Sequence, residues 1–528
     1  MSMSKSEDTS QQCTCFVAVE GQYVLKESIF YEQLQPCITY GTQISLVSVR
    51  FKESSNRIQN ASGSIDSGSS ERNGEIFMNS SKSEEMDEME NIFTRRESIV
   101  SDTSQPPFAK GGVTPEEAGF SSLFGTVKRK KTKNNITKTT SSFVARIITN
   151  DNIAKILASR TNEDTYLFFN VGKTFLWCDL FGKPKEPLSR INFNKANPTC
   201  HDVNLLTRSS SHLDIVIGFS SGDIMWFDPL SNKYIRINKQ GVINNSPVTS
   251  IKWMPGSENL FMASHQDGSL IVYDKEKDDQ NFTINPIPED DPLPITKTKN
   301  NKYNPNWHWR VSKKAVTAFA FSPDCQHIAA VCMDGCLRIL DFFHEKLHDT
   351  YHSYFGGFTC VCWSPDGKYV LTGGQDDLVT IWAFREQRIV ARCQGHQSWV
   401  TGVAFDPWRC DEKNYRFGSV GEDTKLLLWD FSVNALHRPK GHSNIRRGSI
   451  PFVLPTLPRR RINDIEIDDR RGVVHPVLSK TDVAILQPVM ARSIHSEPLS
   501  TVAFREDAVI TTCRRGHIKV WLRPELDS

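Results

Sequence analysis

The sequence predicts an all-β protein: a ring of seven four-stranded blades, interrupted by polar insertions and closed by a strand from near its N-terminus. Three observations carry this. The segment Phe321-Ser322-Pro323-Asp324 recurs as Trp363-Ser364-Pro365-Asp366 and, altered, as Phe405-Asp406-Pro407, with successive prolines 42 residues apart. Each copy follows an alternating apolar run and precedes a second run that ends on an aromatic or bulky apolar residue. A period of roughly 40–45 residues is one supersecondary unit that cannot bury both its faces alone, so it must stack on copies of itself.

The residues that finish the third strand of each unit can be counted along the chain: Trp177, Phe227, Tyr273, Leu340, Trp382, Trp429 and Trp521. Seven such ends with this period describe a WD40 β-propeller. Only Leu522 to Ser528 remain after Trp521, so the last blade lacks a fourth strand. The alternating run Gln43 to Phe51 is the candidate to supply it and to remove an edge that would otherwise template aggregation; packing on the outside of the ring is the alternative.

Composition divides the chain. Residues 13–51 carry strand-like runs, Cys15 to Val19 and Ile44 to Phe51. Residues 52–142 are rich in Ser, Asn, Lys and Glu and short of aromatics, so they bury too little apolar surface to offset ordering entropy and are expected to be disordered. Residues 143–524 make up the propeller, with polar or Pro-rich insertions near 275–306 and 437–475, after which the ring resumes at Thr481.

Charge excludes several roles. Lys plus Arg number 63 against 61 Asp plus Glu, which leaves no global field for nucleic acid or an anionic membrane. No apolar run approaches the roughly 18 residues that span a bilayer, and the polar stretch Met1 to Gln12 is unlike a signal peptide. A soluble protein of the cytoplasm, and of the nucleus as well, is expected. The 13 cysteines include no CxxC pair. Cys360 and Cys362 share one face of a predicted strand and read as buried thiols in a reducing compartment rather than zinc ligands. Neither metal nor cofactor is expected.

His396, Ser419 and Asp423 in one repeat invite a reading as a catalytic triad. The better reading is structural. In WD40 blades a His before the first strand, a Ser on the second, an Asp in the following turn and the terminal Trp, here Trp429, satisfy one another in a buried hydrogen-bond network. The preceding blade offers Thr372, Asp376 and Trp382 in register, with Tyr354 at the His position. Further back only Asp334, and then Asp267 with Tyr273, keep their places. A turn Asp retained while its partners vary fits a turn-stabilising role, and no P-loop, complete GxGxxG or HExxH supports an enzyme.

Loops that lead into first strands share one rim with the turns after second strands. Tyr354, Phe355 and Trp399 are assigned to that rim, with Trp307 and Trp309, as anchors for a protein partner. Phe355 with Trp399, on adjacent blades, is the favoured pair. Lys128 to Lys131 reads as a solvated charge run, without the interleaved aromatics of a base-stacking surface. Arg95-Arg96-Glu97-Ser98 and Arg446-Arg447-Gly448-Ser449 resemble basophilic kinase sites, which makes Ser98 and Ser449 candidate phosphorylation positions.

Longer stretches narrow the class. Gly218 to Ile224, Pro255 to Phe261, Asp267 to Lys277, Tyr354-Phe355-Gly356-Gly357-Phe358 through Gly373-Gly374-Gln375-Asp376-Asp377, and Gly395 to Val400 stand out, with Glu20-Gly21-Gln22-Tyr23 and Leu46 to Val49 near the N-terminus. Together they resemble the WD-repeat deubiquitinase-cofactor family of the fungal catabolite-repression protein CreC and its animal relatives. The resemblance covers nearly the whole ring and fades in the Ser-rich stretch and near 437–475. It implies a non-catalytic subunit that binds and activates or stabilises a ubiquitin-specific protease of the CreB type, often beside a second WD-repeat subunit. It also implies that Phe355 and Trp399, supported by Tyr354, touch the protease. Carbon catabolite repression, endocytosis and polarity are equally compatible pathways. The alternative is a substrate receptor or scaffold of a ubiquitin ligase, but Trp429-Asp430-Phe431-Ser432 lacks the Arg of a WDxR motif and Trp382-Ala383-Phe384-Arg385 lacks its Asp.

Overall fold

A computed structural model describes residues 13–51, 133–138, 141–160, 163–284, 291–298, 300–432 and 472–524. The middle strands of the repeats explain the architecture. Ile215–Phe219, Leu260–His265 and Tyr369–Gly374 are buried along their whole length, and a strand buried on both faces needs cover on both sides. Seven antiparallel meanders provide it by packing face to face. Blade 1 runs through Ile44–Arg50, Glu163–Val171, Thr174–Asp179 and Ser189–Phe193. Blades 2, 3, 4, 5 and 6 begin at Pro198–Val203, Val248–Trp253, Val316–Phe321, Phe358–Trp363 and Val400–Phe405. Blade 7 joins Leu499–Phe504, Ala508–Cys513 and Ile518–Leu522 to a strand from the other end of the chain.

Each of the seven blade-ending residues read from the sequence lies on the third strand of its own blade. Among the described residues the core falls into seven apolar clusters, one at each blade–blade interface. The innermost strands add a hydrogen-bond relay around the channel. Thr249 donates its hydroxyl to the carbonyl of Val316 in the next blade, Thr317 to Phe358 at 2.8 Å, Thr359 to Val400, Thr401 to Leu499 at 2.8 Å, and Ser500 to Thr42 at 2.7 Å. From blade 1 to blade 2 the Asn170 amide donates to the Pro198 carbonyl at 3.1 Å. The Ser-Pro-Asp turns are tied in a repeated way: Ser364 donates to Asp366 at 2.7 Å and accepts the Tyr369 N–H at 2.9 Å, as Ser322 does with Asp324 and His327. The next turn residue has a left-handed φ in both, 69° at Gly367 and 59° at Cys325, so one copy uses glycine and the other bears the strain.

The N-terminal strands differ from the sequence reading in their roles. Gln43 to Phe51 does not complete the last blade; Ile44–Arg50 is the innermost strand of blade 1, paired from Ile44↔Phe169 to Arg50↔Glu163. The closing strand is Gly21–Ile29, antiparallel to Ile518–Leu522 with Leu25 opposite Trp521. Burial explains the choice. Tyr23 and Ile29 are almost fully enclosed and extend the cores shared with blades 6 and 1, whereas Val47 and Val49 enter the core between blades 1 and 2. Cys15–Ala18 folds back on the closing strand as a fifth strand of blade 7.

Other fifth strands cover most outer edges. Val144–Thr149, Asn134–Asn135 and Ile295–Lys297 add to blades 1, 2 and 3. Asn134–Asn135 lies within the stretch expected to be disordered, of which residues 52–132 and 139–140 are outside the described residues. Ile136 is buried in the blade 1–2 core and Lys133 lies 4.4 Å from the Trp226 ring, which ties this end down. The ring also does not simply resume at Thr481. Val473–His475 pairs in parallel with blade 4 and Ala484–Leu486 with blade 5, before Met490–Ser493 completes blade 6.

Removing residues 13–29 tests the closure. The cut exposes Trp521, Val520 and Ile518 and deletes Phe16, Tyr23 and Ile29. At roughly 1.5–3 kcal/mol per buried large apolar side chain, the loss is comparable with the whole stability of a typical domain, about 5–15 kcal/mol. The truncated chain is expected to lose its cooperative thermal transition and to aggregate; a melting curve like that of the full chain would show that closure lies elsewhere.

Candidate protein-interaction face

The blade 6 network sets the geometry of the rim. Trp429 can only donate and an ionised Asp423 can only accept, which fixes the direction of the chain between them. The Trp429 Nε1–H donates to Ser419 Oγ at 2.8 Å, Ser419 donates to His396 Nε2 at 2.8 Å, and His396 Nδ1–H donates to Asp423 at 3.0 Å. Asp423 also accepts the Gln397 N–H at 3.0 Å. Ser419 is fully buried beneath the indole, so no substrate reaches its hydroxyl.

The same positions are used with different chemistry around the ring. In blade 5 the Trp382 Nε1–H donates to Thr372 at 2.9 Å. In blade 4, Ser312 takes the His position and donates to Asp334 at 2.8 Å; in blade 3, Asn244 donates to Asp267 at 3.1 Å. Blade 7 holds a member that the sequence reading missed. Trp521 donates to Thr511 at 3.0 Å, and Thr511 lies 3.0 Å from His495 Nε2, but Arg515 stands where the turn Asp would be. Burial, with Lys519 and His517 nearby, holds His495 far below the usual histidine range. The available signal was His495 four residues before Leu499, as His396 precedes Val400.

Asp376 has no histidine partner. Its carboxylate accepts the Leu378 N–H at 3.3 Å, while Oδ2 is buried with no hydrogen-bond partner among the described residues. Burial pushes the group up to about 6, against the weaker opposing pull of backbone N–H groups, those of Tyr354 and Phe355 among them.

The three rim aromatics sit on tethered loops. Phe355 is 72% exposed, and Tyr354 and Trp399 are each 44% exposed. The Ser353 hydroxyl donates to the Gly356 carbonyl at 2.6 Å, and the Gly357 N–H donates to the Gln375 side chain at 2.8 Å. Gly356 has φ 64°, and a Cβ there would meet Gln375 at 2.9 Å, so the bend that turns Phe355 outward requires glycine. The carbonyl of Trp399 accepts the Glu422 N–H at 2.9 Å, and Glu422 pairs with Arg514 of blade 7. Phe181 and Trp408 are also exposed, but cations lie near their rings: Lys26 and Arg505 at 4.5 and 4.9 Å from Phe181, Arg523 at 5.9 Å from Trp408. Among the described residues no ring or cation covers Phe355 or Trp399.

Trp307 and Trp309 do not join this rim. They lie on the fourth strand of blade 3, Trp307–Arg310, 6% and 1% exposed in the core against blade 4. The insertion before them displaces that strand along the sequence, so it reads as a lead-in to the following blade. Cys360 is buried and Cys362 half-buried on the first strand of blade 5. Lys128 to Lys131, Ser98 and Ser449 lie outside the described residues.

Ring, network and rim together define a WD40 propeller. The WD domain, G-beta repeat family model matches residues 304–341 and 346–383. The chain is also 40% identical over 414 residues, 72% of its length and 75% of the relative's, to UBP9-binding protein bun62 of Schizosaccharomyces pombe. It belongs to the WD-repeat family that contains that protein, in keeping with the resemblance seen in its sequence motifs.

Two outcomes are expected. Ser419→Ala strands both the Trp429 N–H and the His396 ring nitrogen, so it should cost about 1–3 kcal/mol in denaturant unfolding; Thr372→Val, which strands only the Trp382 N–H, should cost less. For Asp376 the folded value lies above the ordinary one, so its contribution is complete below about pH 4 and is lost as pH rises through about 6. Asp376→Asn should therefore raise the melting temperature at pH 7.5 and change it little at pH 4. Equal shifts at both pH values would contradict the assignment.

Proposed function

We propose that this chain is a non-catalytic regulatory subunit that binds a ubiquitin-specific protease of the CreB type, activates or stabilises it, and so controls protein deubiquitination. The observation that carries the reading is the family membership: the relative, matched over three quarters of its length, is named for binding UBP9. The rim supports it. Large aromatic side chains on loops tied at both ends lose little freedom on binding and make effective anchors. Tyr354, Phe355 and Trp399 are the proposed contacts. The burial of Ser419 under Trp429 supports a binding role over a hydrolytic one. A rigid ring raises protease activity by binding the productive arrangement of a mobile catalytic domain better than the others. A second WD-repeat subunit is part of the proposed assembly.

The test mixes the purified chain with the CreB-type deubiquitinase of the same organism and follows a fluorogenic ubiquitin substrate, with the second WD-repeat subunit present and absent. Phe355→Ala and Trp399→Ala should each weaken binding about tenfold or more, as truncation of an interface anchor does, with unchanged melting temperatures. Full binding by both folded variants would overturn the assignment of the rim.

A further inference from the structure

The segment between Val473–His475 and Ala484–Leu486 is a strap across the outside of blades 4 and 5, and its middle reaches the rim. Its first anchor pairs with Asp349 to Tyr351, where His475 stacks on Tyr351 at 4.3 Å and lies 2.7 Å from the buried Asp349. Its second anchor pairs with Ala391 to Cys393. Between the two anchors a blade 5 side chain bonds the strap backbone. Arg392, 6% exposed, donates to the carbonyls of Leu478 at 2.7 Å and Ser479 at 3.2 Å. The same guanidinium lies 4.7 Å from the centre of the Tyr354 ring, and Lys480 of the strap lies 5.7 Å from it.

One buried arginine thus joins two backbone carbonyls of the strap to an aromatic of the rim. A planar guanidinium can donate in its plane and present its face to a ring at once, which a lysine cannot. Val477 and Leu478 remain 48% and 39% exposed, next to exposed Lys480. The nearest carboxylate in the strap, Asp482, accepts from Ser479 at 2.8 Å.

We infer that the strap from Val477 to Lys480 is part of the same docking surface as Tyr354, with Arg392 as the positioning residue that couples the two. The inference rests on the protease-binding reading above. The complementary partner segment carries an apolar side chain for Val477 and Leu478 and a carboxylate for Lys480.

The experiment measures protease affinity for the full chain by titration, with melting temperatures recorded for every variant. Leu478→Ser and Lys480→Glu change exposed groups and should each weaken binding by about fivefold or more without altering the melt. Arg392→Gln should weaken binding in the wild-type background and lose part of that effect with Tyr354→Leu and part with Leu478→Ser, but retain it in full with Trp399→Ala, because contacting groups couple and separated ones add. Arg392→Lys should restore only part of the loss. If Phe355→Ala weakens binding while Leu478→Ser, Lys480→Glu and Arg392→Gln do not, the strap inference fails and the rim reading stands. If Phe355→Ala and Trp399→Ala have no effect either, the rim reading itself fails. Additive losses for Arg392→Gln with both Tyr354→Leu and Leu478→Ser would remove its positioning role even if the strap variants bind weakly.

Discussion

Each blade of this propeller is apolar on both faces, and that constraint governs the rest. A blade at the end of an open stack would leave one face in water, so stability requires that the first and last units meet. The chain meets it by interleaving its two ends. Gly21–Ile29 completes blade 7, and Ile44–Arg50 then begins blade 1 before the described chain resumes at residue 133. The hydroxyl relay of the inner strands passes through the same seam, from Ser500 to the carbonyl of Thr42. Sequence-distant segments are thereby locked into one ring, and local order at the rim depends on that lock.

Rigidity at the rim is then a matter of short-range chemistry. The His396–Asp423 contact anchors the loop ahead of Trp399, Glu422 holds the Trp399 carbonyl, and Arg514 reaches Glu422 from blade 7. Across the neighbouring blade, Ser353, Gly356 and Gln375 fix the bend behind Phe355. Exposed aromatics are normally a liability. Held on loops that are already ordered, they offer a partner large contact area at small entropic cost. Asp376 shows the other side of the arrangement: its carboxyl is buried without a full complement of donors beneath the most exposed aromatic of the rim, a local conflict of the kind found at functional surfaces.

What the sequence made legible follows from range. The seven blade ends were readable because each is set by a local strand–turn–strand pattern, and the blade 6 network because all its members fall within one repeat. The closing strand was harder. Gly21–Ile29 and Ile44–Arg50 both alternate, and only pairing with residues more than a hundred positions away assigns one to blade 7 and the other to blade 1. Val473–His475 and Ala484–Leu486 are three-residue strands with exposed faces, too short for any periodicity. Trp307 and Trp309 were misplaced because an insertion carries their strand away from its repeat position. His495 went unnoticed because Arg515 breaks the familiar set. At the rim, the exposure of Tyr354, Phe355 and Trp399 was legible, whereas the link from Tyr354 through Arg392 to the strap joins residues 354, 392 and 478–480 and exists only in three dimensions.

Hydrogen exchange of the chain, alone and mixed with the proposed ubiquitin-specific protease partner, maps the footprint without altering a residue. Slowed exchange is expected only at the rim of blades 5 and 6, at residues 353–357 and 397–400, and along the strap near 477–480. Protection confined to the opposite rim, or to blades 1 to 3, would contradict it.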